Sequence, residues 1–447
     1  VSDTFDLVVA AHRVLLPEGE QACSIAVSAG RIVTIESRKS DLPARRTVVV
    51  EDDLVVLPGL VDSHVHVCEP GNTAWEGFET ATAAAAAGGI TTIVDMPIDS
   101  VPATVDLPAL DLKREVARSQ CHVDVGFWGG VIPGNLERLG CLVDAGVLGF
   151  KCFLGDSGSD DLPPLTPEEM ERALSALRYS GLPLLVHAES AEVLAGLTGV
   201  SGTQYRDYLR SRPRGLENLA VAQVIEAARR SGGHAHVCHL SSSDAVAMIR
   251  SARREGVKVT AETCPHYLAL CAEDIPDGST SAKCSPPIRE RDNQGLLWDA
   301  LASGIIAAVV SDHSPATEAM RHAGGDDFGT AWSGISSLQV SLPVTWNAAR
   351  SRGLSLSDIV NWMATGPAAL AGLASKGAIE PGRDADLCLF APEEQFVVEP
   401  TRLLHRNPGT PYDGQTLFGV VHQTWLRGEP IERGRPRGRI LVPRSPE

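Results

Sequence analysis

The sequence predicts an α/β fold: a (β/α)8 barrel carrying a small β-sandwich domain built from both chain termini. Three observations predict it. Short apolar, β-branched runs alternate with helix-compatible stretches through most of the 447 residues, the pattern of repeated βα units and hence of a parallel sheet. The number of such units favours a closed barrel over an open sheet. Before and after that region the alternation stops and β character dominates, so the two ends are expected to share one unit.

Taken in order, residues 1–56 contain FDLVVAAHRVLL, SIAVSAGRIVTI and RTVVVEDDLVVL, β-branched runs separated by Gly, Pro or charged turns. From Leu57 the runs GLVDSHVHV, ITTIVDMP, HVDVGFWGG, GVLGFKCFL, LPLLVHAES, AHVCHLSS, VKVTAETCP and IIAAVVSD are each short and apolar. Segments such as AWEGFETATAAAAAG and PEEMERALSALRYSG between them suit helices. After Lys376 come GAIEPGRDADLCLFAP and GVVHQTWLRGEPI, again β-like. The expected division is a β domain of 1–56 and 377–447 around a barrel of 57–376. The final ERGRPRGRILVPRSPE, rich in Arg and Pro, is expected to be an exposed tail or to pack on a neighbouring subunit.

Composition narrows the function. A net charge of -17 offers no attraction to nucleic acid or to an anionic membrane. The 10 cysteines form no CxxC pair and fit free thiols in a reducing compartment better than a disulfide framework. The opening VSDTFDLVVAAHRV lacks the basic-then-apolar pattern of a signal peptide. The Ala-rich run from Thr80 to Ile90 is too short to span a bilayer. A soluble cytoplasmic protein is expected.

The chemistry-bearing residues sit at strand ends. His64 and His66 are i and i+2 on one strand and share a face, where two imidazoles can hold one metal ion. His187 closes LPLLVHAES, His239 closes AHVCHLSS and Asp312 closes IIAAVVSDHS. Singly, each has an ordinary alternative, a loop hydrogen bond for a His or a helix N-cap for the Asp. In a parallel barrel, however, all C-terminal strand ends open on one mouth, so the five converge. Lys151 interrupts the apolar run GVLGFKCFL. A buried ammonium is costly without a partner, which leaves a salt bridge, a side chain snorkelling to the mouth, or a lysine converted by carbon dioxide to a carbamate. His236, three residues before His239, is expected to face the other way. His266 is a candidate for the mouth, and His313 for orienting Asp312 or touching substrate. His12, His122, His234, His322, His405 and His422 carry no chemical signal.

The ordered set DSHVH, GFKCF, VHAE, VCHLSS and SDHSP resembles the cyclic amidohydrolases, which include dihydroorotases, dihydropyrimidinases or hydantoinases, and allantoinases. The resemblance covers essentially the whole chain. Within the family, HVHVCEPGNTAWEGFETAT, GGITTIVDMPIDSVPAT, ETCPHYLAL and AKCSPPIRE are similar to the allantoinase branch. Dihydroorotases carry an arginine where this chain has Cys68, and hydantoinases a tyrosine where it has Asp156. The allantoinase pattern itself is departed from at Asn72, in place of Arg, and at Asp99, in place of Asn. Both departures put the ring substituent in question rather than the reaction.

What the resemblance implies is hydrolytic opening of a hydantoin-like ring, allantoin to allantoate, by hydroxide held between two divalent metal ions. His64, His66 and Asp312 would bind one ion, His187 and His239 the other, with carbamylated Lys151 bridging. Asp312 would be the catalytic proton carrier. Ser285, Ser314, Gly334 and Asp99 would contact substrate, and turn chemistry is the alternative for the serines and the glycine. Zinc is the default ion, with cobalt, manganese, nickel and iron compatible. A homo-oligomer, tetramer or dimer, acting on a small cyclic amide is implied. The competing expectations are a hydantoinase, dihydropyrimidinase or dihydroorotase-like hydrolase, and a non-catalytic scaffold on the same fold.

Overall fold

A computed structural model describes residues 4–442. Eight short parallel strands form the barrel: Leu60–Val65, Ile90–Asp95, Asp124–Phe127 continued by Gly129–Gly130, Phe150–Phe153, Leu184–His187, Ala235–Val237, Val259–Thr263 and Ala308–Val309. Each pairs in parallel with the next. The ring closes through the backbone: Val65 bridges His313 in parallel, and the His66 N–H donates to the His313 carbonyl at 2.9 Å. Asp62 reinforces the closure by accepting from the Ser311 N–H at 3.1 Å and the His64 N–H at 3.1 Å.

The connecting helices follow their local signals. Thr166 and Glu169 form a reciprocal capping box that starts the helix Pro167–Leu177, with Pro at its first position. Met170, Ala173, Leu174 and Leu177 form its buried face. The Ala-rich helix is shorter than its composition suggests, Phe78–Ala87. Trp75 and Glu76 stay outside it because they are engaged elsewhere, Trp75 edge-on against Trp332 at 4.8 Å and Glu76 on His313 at 3.1 Å. Among the described residues, no helix is long and apolar enough to cross a membrane.

Both chain ends enter one eight-stranded mixed sheet. The runs SIAVSAGRIVTI and RTVVVEDDLVVL are each split by a turn, giving Gly19–Ser28 with Arg31–Ser37 and Ala44–Val49 with Val55–Pro58. Val55–Pro58 pairs with Leu387–Val397 from the far end of the chain. The expectation of a free C-terminal tail needs correction. Glu432–Arg437 is exposed, but Gly438, Arg439 and Leu441 hydrogen-bond with Cys121 and Val125 along the third barrel strand. Gly438 permits this approach, since a Cβ there would stand 1.9 Å from the Val123 carbonyl oxygen. The end of that tail, 443–447, and residues 1–3 lie outside the described residues.

The sheet and the barrel are locked by buried charge. Lys376 Nζ reaches Asp124 at 2.6 Å, Asp386 at 2.6 Å and Asp384 at 3.1 Å, while Arg427 holds Asp124 at 2.7 Å. Removing the ammonium would strand three carboxylates away from water. Breaking such a buried pair costs about 3–5 kcal/mol, so Lys376→Met should lower the urea unfolding midpoint by a corresponding amount. An unchanged midpoint would show that the cluster contributes nothing to the junction.

Candidate active site

At the C-terminal mouth of the barrel lies a cavity of about 240 Å³. His64, His66, Lys151, His187, His239 and Asp312 all line it, as do Asp99, Ser285, Ser314 and Gly334. The strands deliver these groups directly. His187 is the last residue of its strand, and Lys151 is hydrogen-bond register partner to Leu185 one strand over. His239 and Asp312 follow their strands with φ of 33° and 44°, and Cys68 and Asp99 have φ of 62° and 66°. Left-handed backbone is costly for such residues. Its concentration around this cavity means the surrounding structure imposes the placement of these side chains.

Carboxylates outside the cavity fix the imidazoles. His64 Nδ1 donates to Glu262 at 2.5 Å, and Glu262 also meets His236 at 3.1 Å. His66 Nδ1 donates to Asp99 at 2.7 Å. His187 Nε2 donates to Glu189 at 2.9 Å, and Arg212 holds the same carboxylate oxygen at 2.5 Å. With the outer nitrogens of His64 and His187 protonated, their inner ones present lone pairs. His64 Nε2 and His66 Nε2 lie 3.3 and 3.4 Å from one oxygen of Asp312, and His187 Nδ1 lies 3.0 Å from His239 Nε2.

Acceptors so close to one another repel unless a proton or a metal cation lies among them. This is the test the donor set must meet to suit a metal, and it meets it. The nitrogen and oxygen ligand atoms of His64, His239 and Asp312 lie within 4.8 Å of one another. Burial holds His64, His187 and His239 below the ordinary imidazole range, the neutral form a metal needs. Burial works against ionisation of Asp312 too, but the surrounding imidazoles outweigh it and keep the carboxylate charged. At His66 burial is likewise outweighed, by Asp312 and Asp99, and the value rises to about 9, so the space between these groups attracts positive charge.

Lys151 is buried against a thiol and a ring. Its Nζ lies 3.1 Å from Cys238 Sγ and 5.1 Å from the centre of Phe153, whose ring stacks on His187. Among the described residues no carboxylate pairs with it, which sets it apart from the equally buried Lys113 on Asp95 and Lys376. A salt bridge does not account for it, and its side chain reaches the cavity at the mouth.

The other expected contacts divide. Ser314 Oγ donates to Asp312 Oδ1 at 3.1 Å. Ser285 Oγ stands 3.0 Å from both Tyr208 and Ser333 hydroxyls. Gly334 serves packing: its N–H is taken by the Lys283 carbonyl, its own carbonyl accepts from Arg321, and a Cβ there would lie 2.4 Å from the Ser314 carbonyl oxygen. The nearer Asp99 oxygen is occupied by His66, so this carboxylate orients an imidazole first, and Asn72 holds the Asp99 carbonyl from behind at 2.8 Å.

His313 does not face the cavity. Its ring lies between Glu76 and the Ser337 N–H, a consequence of its backbone bridging Val65 and Ile335. His266 is fully buried behind Asp312 and does not line the mouth. Glu262, Glu189 and Arg212 are not among the residues expected from the sequence. Glu262 in VKVTAETCP shows the signal that marked Lys151, a charge inside an apolar strand.

A model of the amidohydrolase family matches residues 55–431. The chain is 52% identical to an allantoinase of Streptomyces avermitilis over 440 residues, 98% of each chain. It is 41% identical to an allantoinase of Arabidopsis thaliana, covering 94% of this chain and 87% of that one. Among solved structures, L-hydantoinase (dihydropyrimidinase) from Arthrobacter aurescens superposes with a TM-score of 0.91 at 29% identity, over 98% of this chain and 100% of that one. Dihydropyrimidinase from Brevibacillus agri gives 0.88 at 29%, over 97% and 98%. Matched by the family model along nearly all of the barrel and by full-length relatives on either side of it, the chain belongs to the amidohydrolase family.

Proposed function

We propose that the protein hydrolyses a cyclic amide, opening the hydantoin ring of allantoin to give allantoate. The observation that carries the reaction class is the convergence of inward-facing imidazole lone pairs, Asp312 and an unpaired buried lysine in one cavity. The choice of ring rests on the allantoinase relatives, at 39–52% identity across the chain. A second reading, a hydantoinase or dihydropyrimidinase, draws on the superposition with such enzymes.

In this reading His64, His66 and Asp312 would hold one divalent ion, His187 and His239 a second, and Lys151 as a carbamate would join the two. Zinc suits the set, as do cobalt, manganese, nickel and iron. Bound there, the ions supply an acidified water and a polarised amide carbonyl. The chain moves the proton. Asp312 accepts it from the attacking water as the oxygen–carbon bond forms, and returns it to the ring nitrogen as the carbon–nitrogen bond breaks. Ser314 fixes the Asp312 oxygen for this exchange. Glu262, Glu189 and Asp99 set the tautomers of His64, His187 and His66. Ser285 is placed to meet the ring. The same reading divides the chain into a β unit of 1–56 and 377–447 and a barrel of 57–376, with a cytoplasmic location and a dimeric or tetrameric assembly. The ten unpaired thiols, nine of them buried, support the location.

Four measurements test it. Rates on allantoin, hydantoin, dihydrouracil and dihydroorotate, with divalent metal and bicarbonate supplied, should favour allantoin; preference for another ring moves the substrate, and inactivity on all four overturns the reading. Asp312→Asn should lower kcat about 10²–10⁴-fold, with metal content followed in the same samples. Protein stripped of metal should recover more activity with metal plus bicarbonate than with metal alone, and equal recovery would argue against the carbamate. Glu262→Gln should weaken divalent-metal affinity about 10–100-fold, read by competition with a chelator; unchanged affinity would remove Glu262 from the metal site.

A further inference from the structure

Three hydroxyl groups on the loop side of the cavity form a chain whose direction follows from counting hydrogens. Tyr208 Oη lies 2.7 Å from the Cys284 carbonyl oxygen. A carbonyl oxygen only accepts, so the single phenolic hydrogen points there. Burial pushes the Tyr208 phenol up to about 12, which keeps that hydrogen in place. Ser285 Oγ lies 3.0 Å from Tyr208 Oη, and with the phenolic hydrogen committed Ser285 must be the donor. Ser333 Oγ lies 3.0 Å from Ser285 Oγ, and by the same count Ser333 must donate. Among the described residues neither serine oxygen has a further protein partner. Packing fixes the chain in place. The Lys283 carbonyl accepts from the Gly334 N–H at 2.8 Å while the Lys283 ammonium donates to the Ala331 carbonyl, which laces residues 283–285 to residues 331–334. Phe328 stacks on the Tyr208 ring at 5.8 Å.

Ser285 and Ser333 both line the cavity and are partly exposed, yet their hydrogens are already committed. What they offer a ligand is lone pairs, one left on Ser285 Oγ and two on Ser333 Oγ. We propose that Ser333 and Ser285 form an acceptor-only wall for the ring N–H of the substrate that is not part of the bond being cut, and that Tyr208 is the positioning residue that sets this polarity. Of the two N–H groups of a hydantoin ring, one belongs to the leaving nitrogen served by Asp312, and the other is free to donate to the wall. For either serine to donate to a ligand instead, a bond of the chain must break. A ring that carries a methylene or an oxygen in place of that N–H leaves the wall without its donor, and sites built to hydrogen-bond an N–H discriminate against analogues that lack it.

The inference rests on the allantoin reading, and the experiment separates the two. It measures inhibition constants against allantoin opening by the metal-loaded enzyme for hydantoin, succinimide, with a methylene in place of that N–H, and oxazolidine-2,4-dione, with an oxygen there. Wild type should bind hydantoin about tenfold more tightly than succinimide, or better. Ser333→Ala should narrow that preference about threefold or more, and Ser333→Thr, which keeps the hydroxyl, should restore it. Tyr208→Phe frees the Ser285 hydrogen, so it should tighten oxazolidine-2,4-dione relative to hydantoin about threefold or more. A merely structural loss would weaken all three rings alike. Each comparison sets two proteins against the same pair of rings, so the differing acidity of the rings cancels. Hydantoin that fails to compete, a wild type that does not distinguish hydantoin from succinimide, or a preference that Ser333→Ala leaves unchanged overturns the acceptor wall. Tyr208→Phe that weakens all three rings alike overturns the polarity assigned to the chain. In each of these cases allantoin opening leaves the allantoin reading standing. Wild type that opens no allantoin overturns that reading, and the inference with it.

Discussion

The site depends on one piece of backbone pairing, the parallel bridge between Val65 and His313 that joins the first barrel strand to the last. Without it His64 and His66 would sit at one edge of an open sheet and Asp312 at the other. With it, two imidazoles and a carboxylate from positions some 250 residues apart stand 3.3 and 3.4 Å from one another. Asp62, two residues before His64, ties the same seam by accepting from Ser311, and its burial raises it to about 7. A carboxylate is thus placed out of water to hold the closure, at a cost that only the position of the seam repays.

Burial then sets the protonation of the rest. The inner imidazoles are neutral because charging them in this interior is unfavourable. Three of the four cavity imidazoles are aimed by an outer partner: Glu262 behind His64, Asp99 behind His66, Glu189 behind His187. Glu262 and Glu189 stay charged because each has its own donors: burial is outweighed by His64 and His236 at Glu262 and by Arg212 and His187 at Glu189, and both values fall to about 2. The result is a cavity on which neutral imidazoles and a charged Asp312 converge, an arrangement that suits a cation.

Much of this was legible in the sequence because strand-end residues in a closed parallel barrel converge whatever the loops do. Periodicity located the strands, and a charge in an apolar strand marked Lys151. What was not legible depends on loops and on distant pairing. Arg212 follows the helix Tyr205–Ser211 and reaches Glu189 across a turn that no periodicity encodes. His313 looked like a partner for Asp312 because it is adjacent. The left-handed backbone at Asp312 instead sends the next side chain out to Glu76. The tail looked exposed because its Arg and Pro content suggested so, and its pairing with Val125 rests on Gly438, whose importance is set by the carbonyl of Val123, far away in the sequence.

The division between strand ends and loops also explains why the solved structures with a matching shape and the full-length relatives carry different substrate names. The cavity-facing imidazoles, Lys151 and Asp312 stand on barrel strands or their immediate ends, and an enzyme at 29% identity superposes at a TM-score of 0.91. The cavity's remaining walls come from Asp156–Gly158, Arg212, Ser285 and Trp332–Gly334, all beyond the strands. Changes there leave the barrel closure and the imidazole geometry intact. A hydrolytic centre can therefore stay constant while the ring it accepts is redefined.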